Sequence, residues 1–180
     1  MERTQRDTFR AAMHGDRDAF DMIIRTQSRP LFAIAYGILQ NREEAEDAVQ
    51  DAFVKAWRSR WRVRDPEKFP AWLGTIARHR AHDLLRRRRS VPLDEQLSET
   101  AAAETIASDD DRERQAQVHS ALATLPELHR SALMLRYLDE MDYAAIEQTL
   151  GLSNGALRGI LGRALAAMRK QLKPTLAAMH

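Results

Sequence analysis

FPAWLGTIARHRAHDLLRRRR, residues 69–89, decides how this chain folds. Trp72, Leu73, Ile76, Ala77, Ala81, Leu84 and Leu85 recur at steps of three and four residues. That spacing predicts one helix with an apolar stripe set against a core. Arg78, His79, Arg80 and His82 interleave with the stripe, and Arg86, Arg87, Arg88 and Arg89 crowd its end. The backbone dipole favours cations at a helix C-terminus. Four adjacent guanidinium groups also repel one another, so helix stability alone is a weak reason for them. A solubilising helix end is the bland reading. A polyanion surface explains more, because guanidinium groups match phosphate oxygens in geometry.

Charge along the rest of the chain is sorted in the same sense. The 180 residues carry a formal net charge of only +2. Residues 58–89 hold eleven Arg or Lys against three acids, a local charge of +8, and residues 91–113 hold eight acids against one arginine, a local charge of −7. A basic patch and an acidic connector are therefore hidden in a near-neutral total. There is no cysteine, which excludes disulfides and thiolate metal sites. Residues 1–20 hold no continuous apolar run, and no stretch of about 18 apolar residues occurs anywhere. A cytoplasmic protein without membrane insertion is the expectation.

Upstream of the quoted stretch the pattern is helical throughout. Phe9, Ala12, Ala19, Phe20, Ile23 and Ile24 supply apolar positions over one or two short helices, with a turn at Gly15 and a cap at Asp16. Pro30 predicts the first turn of a new helix, whose buried face is Leu31, Ile34, Ala35, Ile38 and Leu39. After a break at Asn41, Ala45, Ala48, Val49, Ala52, Phe53, Ala56 and Trp57 form another stripe. Asp47, Gln50 and Asp51 lie off that stripe, where composition alone predicts a solvated face. Periodicity fails between Ser59 and Lys68. Arg60, Trp61, Arg62 and Arg64 there interleave charge with one aromatic ring, a composition suited to single-stranded nucleic acid. Trp61 fits a core anchor equally well.

Downstream, residues 90–111 are small, acidic and poor in large apolar side chains, and predict a flexible linker. A second helical unit follows over residues 112–180. Val118, Leu122 and Leu125 lead into it, and Leu128, Ala132, Leu133, Leu135 and Leu138 continue it. Asp142 can cap a short helix, Gly151 can end it in the left-handed conformation, and Ser153 can cap the last helix. Leu157, Leu161, Ala164, Leu165 and Met168 give that helix its inner side. Helix, glycine turn, helix is the pattern that places a second helix in the major groove of DNA, although small bundles share it. The fold class is thus all-α: two small helical domains, residues 1–89 and 112–180, joined by the acidic linker. No phosphate-binding glycine loop, zinc-protease motif or nucleophile elbow is present. No catalytic, cofactor or metal residue is assigned.

Together the two halves resemble a bacterial RNA polymerase sigma factor of the small, extracytoplasmic-function (ECF) type. AEDAVQDAFVKAW, residues 45–57, resembles the segment that grips the polymerase clamp. The quoted helix resembles the promoter-opening helix, and residues 122–170 resemble the domain that reads the upstream promoter element. The resemblance implies a non-catalytic specificity subunit that directs promoter recognition, DNA melting and transcription initiation. Its implied partners are core RNA polymerase, promoter DNA as duplex and as melted non-template strand, and an anti-sigma factor. Core polymerase contacts are implied at Asp47, Gln50 and Asp51. Downstream promoter contacts are implied at Arg60, Trp61, Arg62, Arg64, Arg78, His79, Arg80, Asp83, Arg86 and Arg87. Upstream contacts are implied at Ser153, Asn154, Arg158 and Arg163.

The chain departs from the family pattern in places. His79 stands where asparagine is usual, and Ile160 stands where the recognition helix usually has arginine. Gly159 and Gly162 each lower helix propensity by about 1 kcal/mol relative to alanine. From these departures, weaker or altered upstream reading is expected, with Ile160 free to touch a thymine methyl. Two rival functions share part of the pattern. A stand-alone helix-turn-helix regulator explains only the second half, and a sigma-like protein-interaction regulator would tolerate the altered recognition helix.

Overall fold

The computed structural model describes residues 3–90 and 109–177, and no strand occurs among them. Four helices make the first half: α1 (Arg3–Met13), α2 (Arg17–Leu39), α3 (Arg42–Ser59) and α4 (Phe69–Ser90). Four make the second: α5 (Asp109–Ala123), α6 (Glu127–Tyr137), α7 (Tyr143–Leu150) and α8 (Asn154–Ala177). The predicted linker lies mostly outside the described residues. Asp109, Asp110 and Asp111, expected in that linker, open α5 instead.

Local chemistry sets the helix starts. Asp16 accepts from the Ala19 amide, Asn41 from the Glu44 amide and Asp142 from the Ala145 amide, at 3.0, 3.0 and 2.7 Å. Each side chain satisfies one of the free amides of a first turn. The break expected at Pro30 does not occur, since α2 runs through it without interruption. Proline removes one amide and crowds the preceding carbonyl, at about 3 kcal/mol in a helix interior. The Thr26 and Ser28 hydroxyls donate back to the Met22 and Ile24 carbonyls beside it. Pro30 is itself buried with Leu31, Ala33, Ile34 and Ala35, and burial of this whole face outweighs the local penalty.

α2, α3 and α4 pack pairwise, and α1 closes the open end of that trio. Phe9 of α1 is fully buried and stacks on Phe69 at the head of α4, with ring centres 5.2 Å apart. In the second half, α6 and α8 enclose Leu135, Leu157, Ile160 and Leu161. Val118 and Leu138, expected on inner stripes, are exposed. The halves are not separate bodies: α6 lies against α2, and α7 lies against α4, in one continuous core.

Candidate polymerase and nucleic-acid interfaces

On α3, Asp47, Gln50 and Asp51 are all exposed and share one face, as residues three and four apart must. The buried alanines at 45, 48, 52 and 56 occupy the other side and let α2 and α4 approach closely. Two arginines of α4 reach this region. Arg80 Nη2 lies 3.7 Å from Asp51 Oδ2, and Arg88 Nη1 lies 3.5 Å from Glu44 Oε2. Surface ion pairs of this kind contribute about 0–1 kcal/mol. Their effect here is to fix the acidic face of α3 relative to the basic face of α4.

Between α3 and α4 the chain makes two single 3-10 turns, Arg60–Arg62 and Pro66–Lys68. Val63 is buried between them and pins the loop, and Asp65 accepts from the Glu67 amide at 3.0 Å. Trp61 is not a core anchor, since it is 68% exposed, with the Arg62 guanidinium 5.4 Å from its ring centre. Arg62 and Arg64 are exposed beside it. Arg60 is separated from this group. Its guanidinium stacks 4.0 Å over Trp57, donates from Nη1 to the Trp57 carbonyl at 2.6 Å, and packs under Gly15. Arg60 is therefore part of the fold behind the loop, while Trp61, Arg62 and Arg64 form its outer surface. Behind the loop, Arg6 of α1 pairs with Glu67.

The basic helix α4 carries its site residues on two faces. His79, Arg86 and Arg87 are exposed, and Asp83 is held by an ion pair to Arg86. Arg80 turns toward Asp51. Arg78 is partly buried and lies in register with Gly74 and His82, on the face that meets the second half. There Gly151 sits against Ala71, and His82 Nε2 lies 3.2 Å from Glu127 Oε2 of α6.

Helices α7 and α8 form the helix-turn-helix. Gly151 takes φ 67° and ψ 37°, the left-handed conformation that frees its amide to bond back to the Glu147 carbonyl. Ser153 Oγ accepts from the Ala156 amide at a long 3.4 Å. Asn154 Nδ2 donates to Glu147 Oε1 at 2.5 Å, and the Arg158 guanidinium lies 5.7 Å from the Tyr143 ring centre. Ser153, Asn154 and Arg158 are thus gathered, exposed, at the head of α8. Arg163 is not gathered with them. Nine residues beyond Asn154 is about two and a half turns, which puts it on the opposite side of α8. Its charge adds to desolvation in lowering the His129 pKa below the ordinary imidazole value. Ile160 corrects the sequence expectation: it is 6% exposed and belongs to the core, out of reach of a thymine methyl.

Sequence reasoning gave no role to Arg130, which is 7% exposed at the seam between the halves. Nor did it single out Tyr36 and His119, which meet across the same seam. An arginine among the apolar positions of α6 was the available signal. Among the described residues no cluster of His, Cys, Asp or Glu could hold a metal ion, and no helix is long and apolar enough to cross a membrane.

Two sequence families match this arrangement: Sigma-70 region 2 over residues 23–91 and Sigma-70, region 4 over residues 115–168. The chain is 30% identical to the RNA polymerase sigma-H factor of Pseudomonas aeruginosa, over 98% of this chain and 93% of that protein. It is 30% identical to a probable RNA polymerase sigma factor, RfaY, of Xanthomonas campestris pv. campestris, over 92% of this chain but 45% of that protein. The solved structure of CnrH, in complex with the cytosolic domain of CnrY, superposes with a TM-score of 0.66 at 26% identity, covering 94% of this chain and 97% of CnrH. By both of its halves, in this order, the chain belongs to the sigma-70 family of RNA polymerase sigma factors, in the ECF group.

Proposed function

We propose that this sigma factor is a dissociable, non-catalytic subunit with three separate contact surfaces, working in the cytoplasm at the nucleoid. The domain limits follow the sequence pattern, residues 1–89, 90–111 and 112–180, with α4 extending through Ser90 and α5 beginning at Asp109. The acidic face of α3, with Asp47, Gln50 and Asp51, docks on core polymerase. The outer loop holds the melted non-template strand, its bases stacked on Trp61 and its phosphates paired with Arg62 and Arg64. His79, Arg86 and Arg87 extend that cationic track along α4, joined by Arg78 and Arg80 when these side chains are released. Asp83 positions Arg86. Arg60 acts from behind by holding the loop, not by touching DNA. The head of α8 enters the upstream duplex, where Ser153 and the first-turn amides meet a phosphate and Asn154 and Arg158 reach base edges. Arg163 serves as a backbone contact.

One observation carries the reading: a large aromatic side chain, Trp61, stands out in solvent between arginines within a segment of charge +8. Burying such a ring is worth about 1.5–3 kcal/mol, so a purely structural tryptophan is expected inside. Permanganate footprinting of the reconstituted holoenzyme tests it. W61A should lose melted-strand reactivity, and D47A/D51A should lose core affinity; normal opening by the first and normal affinity of the second, both folded, would remove these surfaces from the account.

An anti-sigma partner has a place as well. A groove of about 670 Å³ opens at the seam, lined by Arg29, Phe32, Val49, Gln50, Met134 and Leu138. Its lining mixes apolar side chains with the charged Arg29 and includes Gln50 of the α3 face. A regulatory helix seated there would contact both halves and shade the polymerase contacts together.

A further inference from the structure

Helix α1 and the turn after it lie ahead of the residues matched by Sigma-70 region 2, yet α1 touches both 3-10 turns of the loop between α3 and α4. At the second turn Arg6 pairs with Glu67, and Phe9, fully buried, stacks on Phe69 just after Lys68. At the first turn the contact runs through Arg60. Its guanidinium lies 4.0 Å from the centre of the Trp57 ring, and a Cβ on Gly15 would stand 3.1 Å from its Nη2. Gly15 has φ 97°, a conformation open to glycine and strained for other residues. The turn is closed by the Gly15 amide on the Ala12 carbonyl at 3.0 Å and the Asp16 amide on the Ala11 carbonyl at 3.1 Å. Trp57 in turn meets Phe20 of α2, with ring centres 5.0 Å apart.

Polar contacts do not explain why an arginine stands here. Nη1 donates to the Trp57 carbonyl at 2.6 Å, but Nε is buried with no acceptor among the described residues. Buried donors are normally paired, so this side chain is held chiefly by its flat face. A guanidinium stacks on an aromatic ring as a rigid plane, which a lysine ammonium does not. The next residue is Trp61. Arg60 packs inward and Trp61 stands out in solvent, so the seat of the first fixes where the second projects.

We propose that α1 and Arg60 form a support that positions the strand-capturing loop. Arg60, held by Trp57 and the Gly15 turn, sets the Trp61 ring, while Arg6 and Phe9 hold the far end. The inference rests on the reading that this loop holds the melted strand. Arg60 is a positioning residue and does not touch DNA. A ring on a free loop has to be ordered when a base stacks on it, and a ring already held loses less freedom on binding.

The test is binding of the reconstituted holoenzyme to a fluorescent single-stranded oligonucleotide of the non-template downstream element, read at several salt concentrations. R60A should bind about tenfold more weakly, and R60K, which keeps the charge and loses the plane, about fivefold. Both should keep the parental slope of log affinity against log salt, because no phosphate contact is lost. R62A should instead flatten that slope by about 0.7, the value for one phosphate on a single strand. R6Q/E67Q removes the α1 ion pair at constant net charge and should weaken binding about threefold at the parental slope. Core affinity should stay parental in R60A, R60K and R6Q/E67Q. In protein labelled with 5-fluorotryptophan, the Trp61 fluorine signal should sharpen in R60K as the ring gains freedom, while that of Trp72 stays as it was. If R60A does not fold, R60K carries the measurement. Parental strand binding or an unchanged Trp61 signal in R60K overturns the positioning role. A flattened salt slope in R60A makes Arg60 a phosphate contact and overturns it as well. Parental binding by R6Q/E67Q overturns the part given to α1. Parental binding by W61A would sink the loop assignment itself, whereas loss in W61A beside parental binding in R60K would sink the support alone.

Discussion

Replacing Ile160 by arginine separates the structure from the family pattern most sharply. By that pattern the position carries a cation, and restoring it should strengthen DNA binding at many sequences and steepen the salt dependence. The structure reverses the expectation. Ile160 is 6% exposed and packs with Leu157, Leu161 and Ala164 in the core of the second half. Truncation to alanine should cost about 2–5 kcal/mol, the range for removing a buried branched side chain and leaving a cavity. Arginine adds the desolvation of a charge placed in that core, a further several kcal/mol. Against a total of about 5–15 kcal/mol for an ordinary domain, that is enough to unfold the second half. Urea denaturation followed by circular dichroism measures it: I160V should lose about 0.5–1.5 kcal/mol, I160A more, and I160R should lose the cooperative transition of the second half and upstream DNA binding with it. An I160R protein within about 1 kcal/mol of the parent would show that the side chain escapes to solvent, and would refute the burial on which this rests.

Three further outcomes are expected. G162A should raise stability by about 1 kcal/mol, because no atom lies within 4 Å of the added methyl group, whereas G74A should gain the same propensity and lose it again against the Thr149 carbonyl; urea midpoints of the two compare them directly. If Arg158 reads a base edge, R158A should cost about 1–3 kcal/mol at the cognate upstream element and flatten discrimination, measured by titrating holoenzyme onto matched and mismatched DNA at two salt concentrations. His129 should titrate below the ordinary imidazole value by NMR, and R163A should move it back up. Its neutral form is favoured in the fold, so its contribution is complete above the unfolded pKa of about 6.5 and is lost as pH falls below it.

What could be read from the sequence divides along the range of the interactions. Asp16, Asp142 and Gly151 were legible because a cap or a left-handed turn is closed within four residues. Pro30 misled because its penalty is local, while the burial that overrides it comes from α3, α4 and α6. Arg60 and Arg62 are alike as letters, and only the fold shows one stacked on Trp57 and the other in solvent. Ile160 is a different case. Its spacing to Leu157 and Ala164 fits the inner stripe on which it is buried, whereas the family pattern expects a cation at that position. Arg130 showed only as a charge among the apolar positions of α6: its partners are the end of α5 and the Gly37 carbonyl, and neither is implied by the residues around it.

The helix glycines show how such a long-range contact leaves a trace in the sequence. Where every local choice agrees with the global fold, a residue that breaks the local rule marks either strain or function. Gly37 and Gly74 break it on two helices that otherwise pack well, and each has a neighbour from the other half in the space a side chain would fill. Gly155 and Gly162 break it on α8 and have nothing within 4 Å. The first pair is therefore accounted for inside the molecule, by the close approach that closes the two halves. The second pair is not, and both of its members are exposed on the helix that also carries Asn154 and Arg158. No contact among the described residues therefore explains Gly155 and Gly162, and the propensity they forgo, about 1 kcal/mol each, is not offset by packing inside the chain.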